Sequence, residues 1–300
     1  MTLLLGSNGY VGSAFARYLS DLTPELKTYS ARHPIVKEEF RKYLLENGIE
    51  RVINCAAYTG SPNIAACELP DAKTECIEAN AFMPLRIAEI CDSLNVKFGH
   101  VSTGCIYSDP RCDIGESPTK LYNERDEPNF CFDDANSSWY SGTKALGEKL
   151  LKNTDALIWR MRLPFNSVPH PKNVISKFIL FKKLINTTNS YTDLYEFVRA
   201  AYKTFSLQTS RKTFNLTQPG YITTKQIIDI LTSAMGDKIP KKQYMTLEEY
   251  KKMDPIPRAN CALDSQCALD HGISLTPIRT SILQTALLMN ISENAHATGK

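Results

Sequence analysis

The stretch Val101-Ser-Thr-Gly-Cys-Ile-Tyr107 ends an apolar run in two hydroxyls, and two positions later it carries a thiol. Ser102 and Thr103 can aim hydroxyl groups at a ligand, and Cys105 supplies a group that exchanges protons, since a free thiol titrates at roughly pH 8.5. Further along, Tyr140 and Lys144 stand four residues apart in WYSGTKALGEKLL. On a helix that spacing puts both on one face, where an ammonium near a phenol lowers the phenol's pKa. The spacing alone says little: Tyr221 and Lys225 share it, and about one such pair is expected by chance among 14 tyrosines. Position separates the two pairs. Tyr140 opens a helix that precedes a fifth strand, with Thr103 closing the fourth, whereas Tyr221 follows a TQPG turn.

A second constellation lies at the start, where LLLGSNGYVGSAF sets Gly6, Gly9 and Gly12 between an apolar run and an amphipathic one. A pyrophosphate needs backbone N–H donors at a helix N-terminus, and glycines let the chain turn and approach without a β-carbon in the way. After the second apolar run, KTYSARHP offers Ser30 and Arg32 and no carboxylate. An acidic residue there would accept from the ribose hydroxyls of NAD; an arginine favours a 2′-phosphate, hence NADP(H).

The elements that must position these groups follow from periodicity. Strands are predicted at Thr2–Leu5, Leu26–Ser30, Val52–Ala57, Lys97–Ser102 and Ala156–Arg162, and helices at Tyr10–Leu22, Val36–Glu46, Asp71–Leu94, Tyr140–Lys152 and Ile175–Ile185. That alternation predicts an α/β fold, a Rossmann-type doubly wound parallel sheet, whose ligands lie beyond the carboxyl ends of the strands. From Cys105 to Ser138 the chain turns polar and loses its period, which reads as a substrate lid. Past Pro164 the pattern loosens into helices at Leu194–Phe205, Thr224–Met235, Leu247–Lys252 and Ile278–Leu288 with a short strand at Phe214–Leu216, a smaller C-terminal substrate-binding lobe. The expected division is a nucleotide-binding domain over 1–163, a mixed lobe over 164–291 that returns segments to the sheet, and a disordered tail over 292–300.

Composition excludes several classes. The chain has 300 residues, 43% hydrophobic and 22% charged, with a formal charge of +3 and no basic stripe, so no nucleic-acid partner is expected. No run approaches a membrane span, and MTLLLG lacks the charged start and apolar length of a leader. The nine cysteines are odd in number and show no zinc spacing, so they read as thiols of a reducing cytoplasm, with no metal expected.

Gly-x-x-Gly-x-x-Gly, Ser-Thr after the fourth strand and Tyr-x-x-x-Lys on the next helix together resemble the extended short-chain dehydrogenase/reductase family. The segments NCAAYTGSPNIAACE, STGCIY, DEPNF, YSGTKALGEKLLKN, RMRLPF, NVISKF, FNLTQPG and PRANCALD narrow the likeness. They resemble the dTDP-4-dehydrorhamnose reductase branch, and most of all the plant-type bifunctional nucleotide-rhamnose synthases. Gly104-Cys105 follows the threonine where related dehydratases carry Asp-Glu and simple rhamnose reductases Asp-Tyr, and Ser61 stands where the family's motif has arginine.

The resemblance implies an NADPH-dependent 3,5-epimerase/4-reductase that converts UDP-4-keto-6-deoxyglucose to UDP-L-rhamnose. It implies Thr103, Tyr140 and Lys144 for reduction, and Cys105 with Lys177 for epimerisation. Cofactor contacts are expected from Gly6, Ser7, Asn8, Gly9, Tyr10, Val11, Gly12, Ser30, Arg32, Ala56, Ala57, Tyr58, Tyr140, Lys144 and Pro164. Substrate contacts are expected from Asn63, Thr103, Cys105, Asn173, Lys177 and Arg258, and Asn80 is expected to be structural. A homodimer is expected by analogy. Two alternatives stand beside this reading: a reductase without epimerase activity, and a non-catalytic regulatory subunit that keeps the dinucleotide pocket.

Overall fold

The central sheet is built from β1 (Thr2–Leu5), β2 (Leu26–Tyr29), β3 (Arg51–Asn54), β4 (Lys97–Thr103), β5 (Leu157–Met161) and an edge strand Thr213–Asn215, in the order β2-β1-β3-β4-β5-edge. The fold is described from a computed structural model over residues 1–22, 26–30, 35–61 and 63–298, the side chains of 292–298 excepted. β1 pairs in parallel with β2 and β3 (Leu3 opposite Lys27 and Val52), and β3 with β4 (Val52 opposite Phe98). This is the doubly wound parallel sheet that the alternating pattern predicts. The strand order reverses between β1 and β3, so the crevice that such sheets offer a ligand opens beyond Leu5 and Asn54.

All four residues of β1 are buried, and β4 is buried over most of its length, as expected where helices cover both faces of a sheet. β2 (Leu-Lys-Thr-Tyr) lies at the edge and is half exposed. The covering helices are α1 (Tyr10–Leu22), α2 (Lys37–Glu46), α3 (Pro70–Ile77), α4 (Met83–Ser93) and, after a one-turn α5 (Pro110–Asp113), α6 (Trp139–Leu151). Leu3, Phe40, Val52, Ile87, Phe98 and Ile158 come from six different elements and meet in one fully enclosed cluster. Each such side chain contributes about 1.5–3 kcal/mol on burial.

The helix predicted over Asp71–Leu94 is interrupted. A π turn, Glu78–Phe82, joins α3 to α4. Pro84 has no N–H to give and its ring crowds the preceding turn, which is a local reason for the ladder to slip there. The helix predicted over Ile175–Ile185 stops at Leu180, where Phe181 turns to extended backbone (φ −79°, ψ 130°). Lys183–Ile185 is instead a strand, paired in parallel with Gln243–Met245. Its partner lies 60 positions away in sequence, beyond the reach of any local pattern.

The chain forms two compact units, each made of three segments: Met1–Tyr107, Glu127–Arg160 and Val198–Phe214 in the first, and Ser108–Asp126, Met161–Phe197 and Asn215–Lys300 in the second. In the second, three two-stranded ribbons surround a core that includes Phe165, Tyr191, Ile227, Leu231 and Ile282. Two helices flank this core. One, Thr224–Met235, opens on a capping box between Thr223 and Gln226. The other, Ile278–Thr298, continues past 291, where a disordered tail was expected, because no proline or glycine breaks it before Gly299. Residues 299–300 of that expected tail lie outside the described residues.

The segment 105–138 is not structureless. Ser108–Asp126 is anchored within the second unit: Tyr122 bridges to Leu263, and buried Asp109 accepts from Arg111 N at 3.0 Å and Thr119 Oγ1 at 3.0 Å. The PRAN motif does similar work. Asn260 donates to Asp113 at 2.8 Å and accepts from Asn189 at 2.9 Å.

Candidate active site

Beyond β1 the chain makes the tight turn that the glycine spacing predicts. Gly6 has φ +74°, and the N–H of Gly9 returns to the Gly6 carbonyl at 3.0 Å. A β-carbon on Gly12 would fall 2.0 Å from that same carbonyl oxygen, so α1 can start here only on glycine. The first turn of α1 contains no acidic side chain, so its positive end is uncompensated. Asn8 and Gly9 are exposed, Ser7 and Val11 half-buried, and Tyr10 buried. A helix start with no β-carbon over it fits the diphosphate of a dinucleotide.

The far wall of that crevice is the chain after β3. Asn54 accepts from Ala56 N at 2.9 Å, and Asn80 clamps Tyr58 by accepting from its N–H and donating to its carbonyl, both at 2.9 Å. Residues 56–58, expected at the cofactor, are thus held from both sides, with Ala57 exposed. The π turn places Asn80 to make these bonds, which bears out its structural reading. Ser30 is exposed just beyond β2, and Arg32 lies outside the described residues.

Thr103, Cys105, Tyr140 and Lys144 all belong to the first unit. The Thr103 hydroxyl accepts from Cys105 N at 3.1 Å and shares a side-chain hydrogen bond with Tyr140. α6 begins at Ser138, whose hydroxyl caps Ser141 N at 3.2 Å, and this start places Tyr140 in the first turn. Cys105 is half-buried and packs against a cluster of Tyr140, Cys67 and Cys76. The expected lowering of the Tyr140 pKa by Lys144 is not what the structure gives. Burial and the neighbouring thiols of Cys105, Cys67 and Cys76 push the phenol up, against the Thr103 hydrogen bond, so it stays a proton donor. Lys144 itself is pulled down to about 8 by burial, opposed by Glu148 and nearby thiols.

Three residues behind this cluster carry no sequence motif. Lys144 Nζ lies 3.1 Å from the Val101 carbonyl and 3.3 Å from His100 Nε2, and His100 Nδ1 lies 3.1 Å from Asn54 Nδ2. Burial and the Lys144 charge hold His100 far below its ordinary range, so the ring is neutral. One turn past Lys144, Glu148 forms a buried ion pair with Arg160 at 2.6 Å and accepts from Ser102 at 2.5 Å. A histidine inside an apolar strand is the one visible signal among them.

The remaining expected residues divide. In the first unit, Asn63 is exposed and its oxygen caps Ala65 N at 2.8 Å. In the second, Asn173 is fully buried: its oxygen accepts from Ile175 N, and its amide donates to Asn166 and Val168. Those bonds tie its carboxamide to the backbone of its own loop. Lys177 is an exposed residue of the Val174–Leu180 helix, and partial burial of its amine, Arg258 and Lys172 pull its pKa down. Arg258 pairs with Asp254, and its buried Nε has no hydrogen-bond partner among the described residues. Pro164 starts a two-residue strand paired with Thr192 and follows Leu163, whose φ of +38° is unusual for a bulky residue.

Among the described residues no cluster could hold a metal ion, and no helix is long and apolar enough to cross a membrane.

The RmlD substrate binding domain family model matches residues 1–187. A bifunctional dTDP-4-dehydrorhamnose 3,5-epimerase/dTDP-4-dehydrorhamnose reductase of Arabidopsis thaliana is 28% identical over 285 residues, covering 94% of this chain and 91% of its own. A trifunctional UDP-glucose 4,6-dehydratase/UDP-4-keto-6-deoxy-D-glucose 3,5-epimerase/UDP-4-keto-L-rhamnose-reductase of the same plant is 31% identical over 238 residues, 78% of this chain; the match spans only 34% of that relative's length. Among solved structures, the L780 UDP-rhamnose synthase of Acanthamoeba polyphaga mimivirus superposes with a TM-score of 0.82 at 22% identity, covering 96% of this chain and 99% of its own. The dTDP-4-dehydrorhamnose reductase of Bacillus anthracis in complex with NADP superposes at 0.74 with 15% identity, covering 97% of both chains.

Proposed function

The chain belongs to the RmlD substrate binding domain family, and from that premise we propose that it is an NADPH-dependent enzyme that makes nucleotide-L-rhamnose from a nucleotide-linked 4-keto-6-deoxyglucose, with UDP as the carrier. One observation carries the reading: Thr103, Tyr140 and Lys144 come together in the unit that holds the Gly6–Gly12 turn, with Cys105 two residues beyond the threonine.

When bound, the nicotinamide supplies the hydride that reduces the C4 ketone. The residues of the chain manage the proton and the geometry. Tyr140, kept protonated by burial, gives its phenolic proton to the oxygen on C4, and Thr103 hydrogen-bonds the same oxygen. Lys144, one turn further along the same helix, would hold the nicotinamide ribose. The turn after β1 and residues 56–58 hold the diphosphate and the chain beyond it.

Before reduction, the ketone makes the C3 and C5 protons acidic, because each carbanion is an enolate. Inverting both centres then needs a group that removes a proton and another that returns one from the opposite face. Cys105 and Lys177 take these parts, and the lowered pKa of Lys177 brings its amine nearer to working pH. A curated relative whose name carries both activities supports this finer assignment, being matched over 91% of its length. Reduction removes the carbonyl and ends the exchange, which fixes the order of steps.

The test gives the purified protein UDP- and dTDP-4-keto-6-deoxyglucose in deuterated water, first without and then with NADPH. Deuterium at C3 and C5, followed by L-rhamnose on adding NADPH, is the expected result. Reduction of separately epimerised substrate without deuterium uptake leaves a reductase alone. Tight NADP(H) binding with no turnover of any keto-sugar points to a regulatory subunit.

A further inference from the structure

Three nitrogens line up behind the catalytic lysine, and their hydrogens do not all fit. The Asn54 oxygen accepts from Ala56 N at 2.9 Å, which fixes the orientation of the carboxamide and turns its NH₂ toward His100 Nδ1, 3.1 Å away. His100 Nδ1 must then accept. A neutral imidazole that accepts at one nitrogen carries its hydrogen on the other, so Nε2–H faces Lys144 Nζ at 3.3 Å. An ammonium has no lone pair to receive that hydrogen. The Val101 carbonyl, at 3.1 Å from Nζ, gives the ammonium one acceptor, and the imidazole withholds a second.

We propose that His100 is a positioning residue for Lys144: pinned by Asn54 in the Nε2–H form, it presents a donor where the lysine needs an acceptor and so keeps the lysine poised between ammonium and amine. The assignment rests on the reductase reading for its purpose, since a lysine that readily changes protonation can help to restore the proton that Tyr140 gives up in each turnover. Its physical content is independent of that reading.

Other groups around Lys144 act on the same balance. Glu148 on its own helix favours the ammonium, as the thiols of Cys76 on α3, Cys105 beyond β4 and Cys55 beyond β3 do once ionised; burial opposes them, in agreement with a value lowered to about 8. Cys55 is itself pushed up by burial, so it stays a neutral thiol. The contribution of the histidine can be reversed by turning an acceptor toward Lys144.

Two variants do this. Asn54→Asp retains an oxygen for Ala56 N and offers a second one to Nδ1–H, which flips the imidazole and frees Nε2 to accept from Lys144. His100→Gln replaces the ring with an amide whose oxygen can turn to the lysine. The measurements are ¹⁵N imidazole shifts for the tautomer and a ¹³Cε-lysine NMR titration for Lys144, with its signal identified by its loss in Lys144→Arg. The expected result is Nε2–H His100 in the unsubstituted protein and a Lys144 titration that moves up by at least about one pH unit, a tenfold change in proton affinity, in both variants. The basic limb of the reduction rate then moves up with it. An Nδ1–H tautomer in the unsubstituted protein, or a titration that stays put in whichever variant folds, overturns the proposal. If the titration shifts while no keto-sugar is reduced, the proposed function falls and the inference about His100 stands.

Discussion

A β-carbon placed on Gly12 would stand 2.0 Å from the carbonyl oxygen of Gly6, whereas one on Gly9 would stand 3.3 Å from it. The two glycines therefore differ in kind. Gly12→Ala should cost about 1–3 kcal/mol or more through overpacking and abolish NADPH binding, while Gly9→Ala should leave a folded protein with a smaller loss of affinity. Urea denaturation and NADPH fluorescence titration of both variants check this; equal behaviour would refute the assignment of the turn.

Tyr140→Phe removes the proton donor and leaves the turn after β1 untouched. Reduction should fall by about 10²–10⁴-fold, with NADPH binding nearly unchanged and deuterium exchange at C3 and C5 preserved. Reduction within tenfold of the unsubstituted enzyme would show that another group protonates the C4 oxygen.

Cys105→Ser and Lys177→Met separate the two half-reactions. Each should stop deuterium uptake at C3, C5 or both in the absence of NADPH, yet leave reduction of pre-epimerised substrate within several-fold of normal. Undiminished deuterium uptake in both variants would remove these residues from the epimerisation step.

Lys144 carries a linkage between pH and stability. Its pKa in the folded chain is lowered to about 8 from the ordinary lysine value of 10.5, so between these two pH values the unfolded state binds more protons than the folded one. This group's contribution to stability therefore rises with pH across that window, and below pH 8 its burial cost is present in full. Lys144→Met should make the cofactor-free fold more stable at pH 7 by about 1–3 kcal/mol while abolishing reduction. The gain should shrink by pH 10.5, a comparison that urea midpoints at the two pH values make directly. A gain that does not shrink would contradict the sign.

Glu148 and Arg160 are each 6% exposed. Glu148→Ala leaves a guanidinium buried without its carboxylate and should cost about 3–5 kcal/mol, whereas the double substitution Glu148→Met with Arg160→Met should recover most of that loss. Calorimetric melting of the three proteins tests the pair, and a double variant no better than Glu148→Ala would mean that the carboxylate serves Ser102 more than Arg160.

Much of the sheet could be read in advance because its strands are short apolar runs bounded by turn residues, and because the glycine turn, Thr103 and Tyr140 all follow or precede such runs in the order a doubly wound fold requires. The groups that set the chemistry of Lys144 could not. Asn54, His100 and Glu148 act through tertiary contacts between β3, β4 and α6, and no spacing along the chain marks them. The hydrogen bonds of Asn173 were equally illegible, because a polar residue at a helix start does not show in sequence that its amide meets the backbone of its own loop. The ribbons of the second unit were missed because strands of two or three residues have too little length for alternation to show.

Each compact unit is assembled from three separated segments, and this bears on how the molecule is born. As the polypeptide leaves the ribosome, β5 emerges with one flank bare and must wait about fifty residues for Thr213–Asn215 to close the sheet beside it. An open strand edge during synthesis is a site for adhesion to other nascent chains. The molecule should therefore lean on chaperones in vivo, and a fragment ending near residue 163 should aggregate rather than fold.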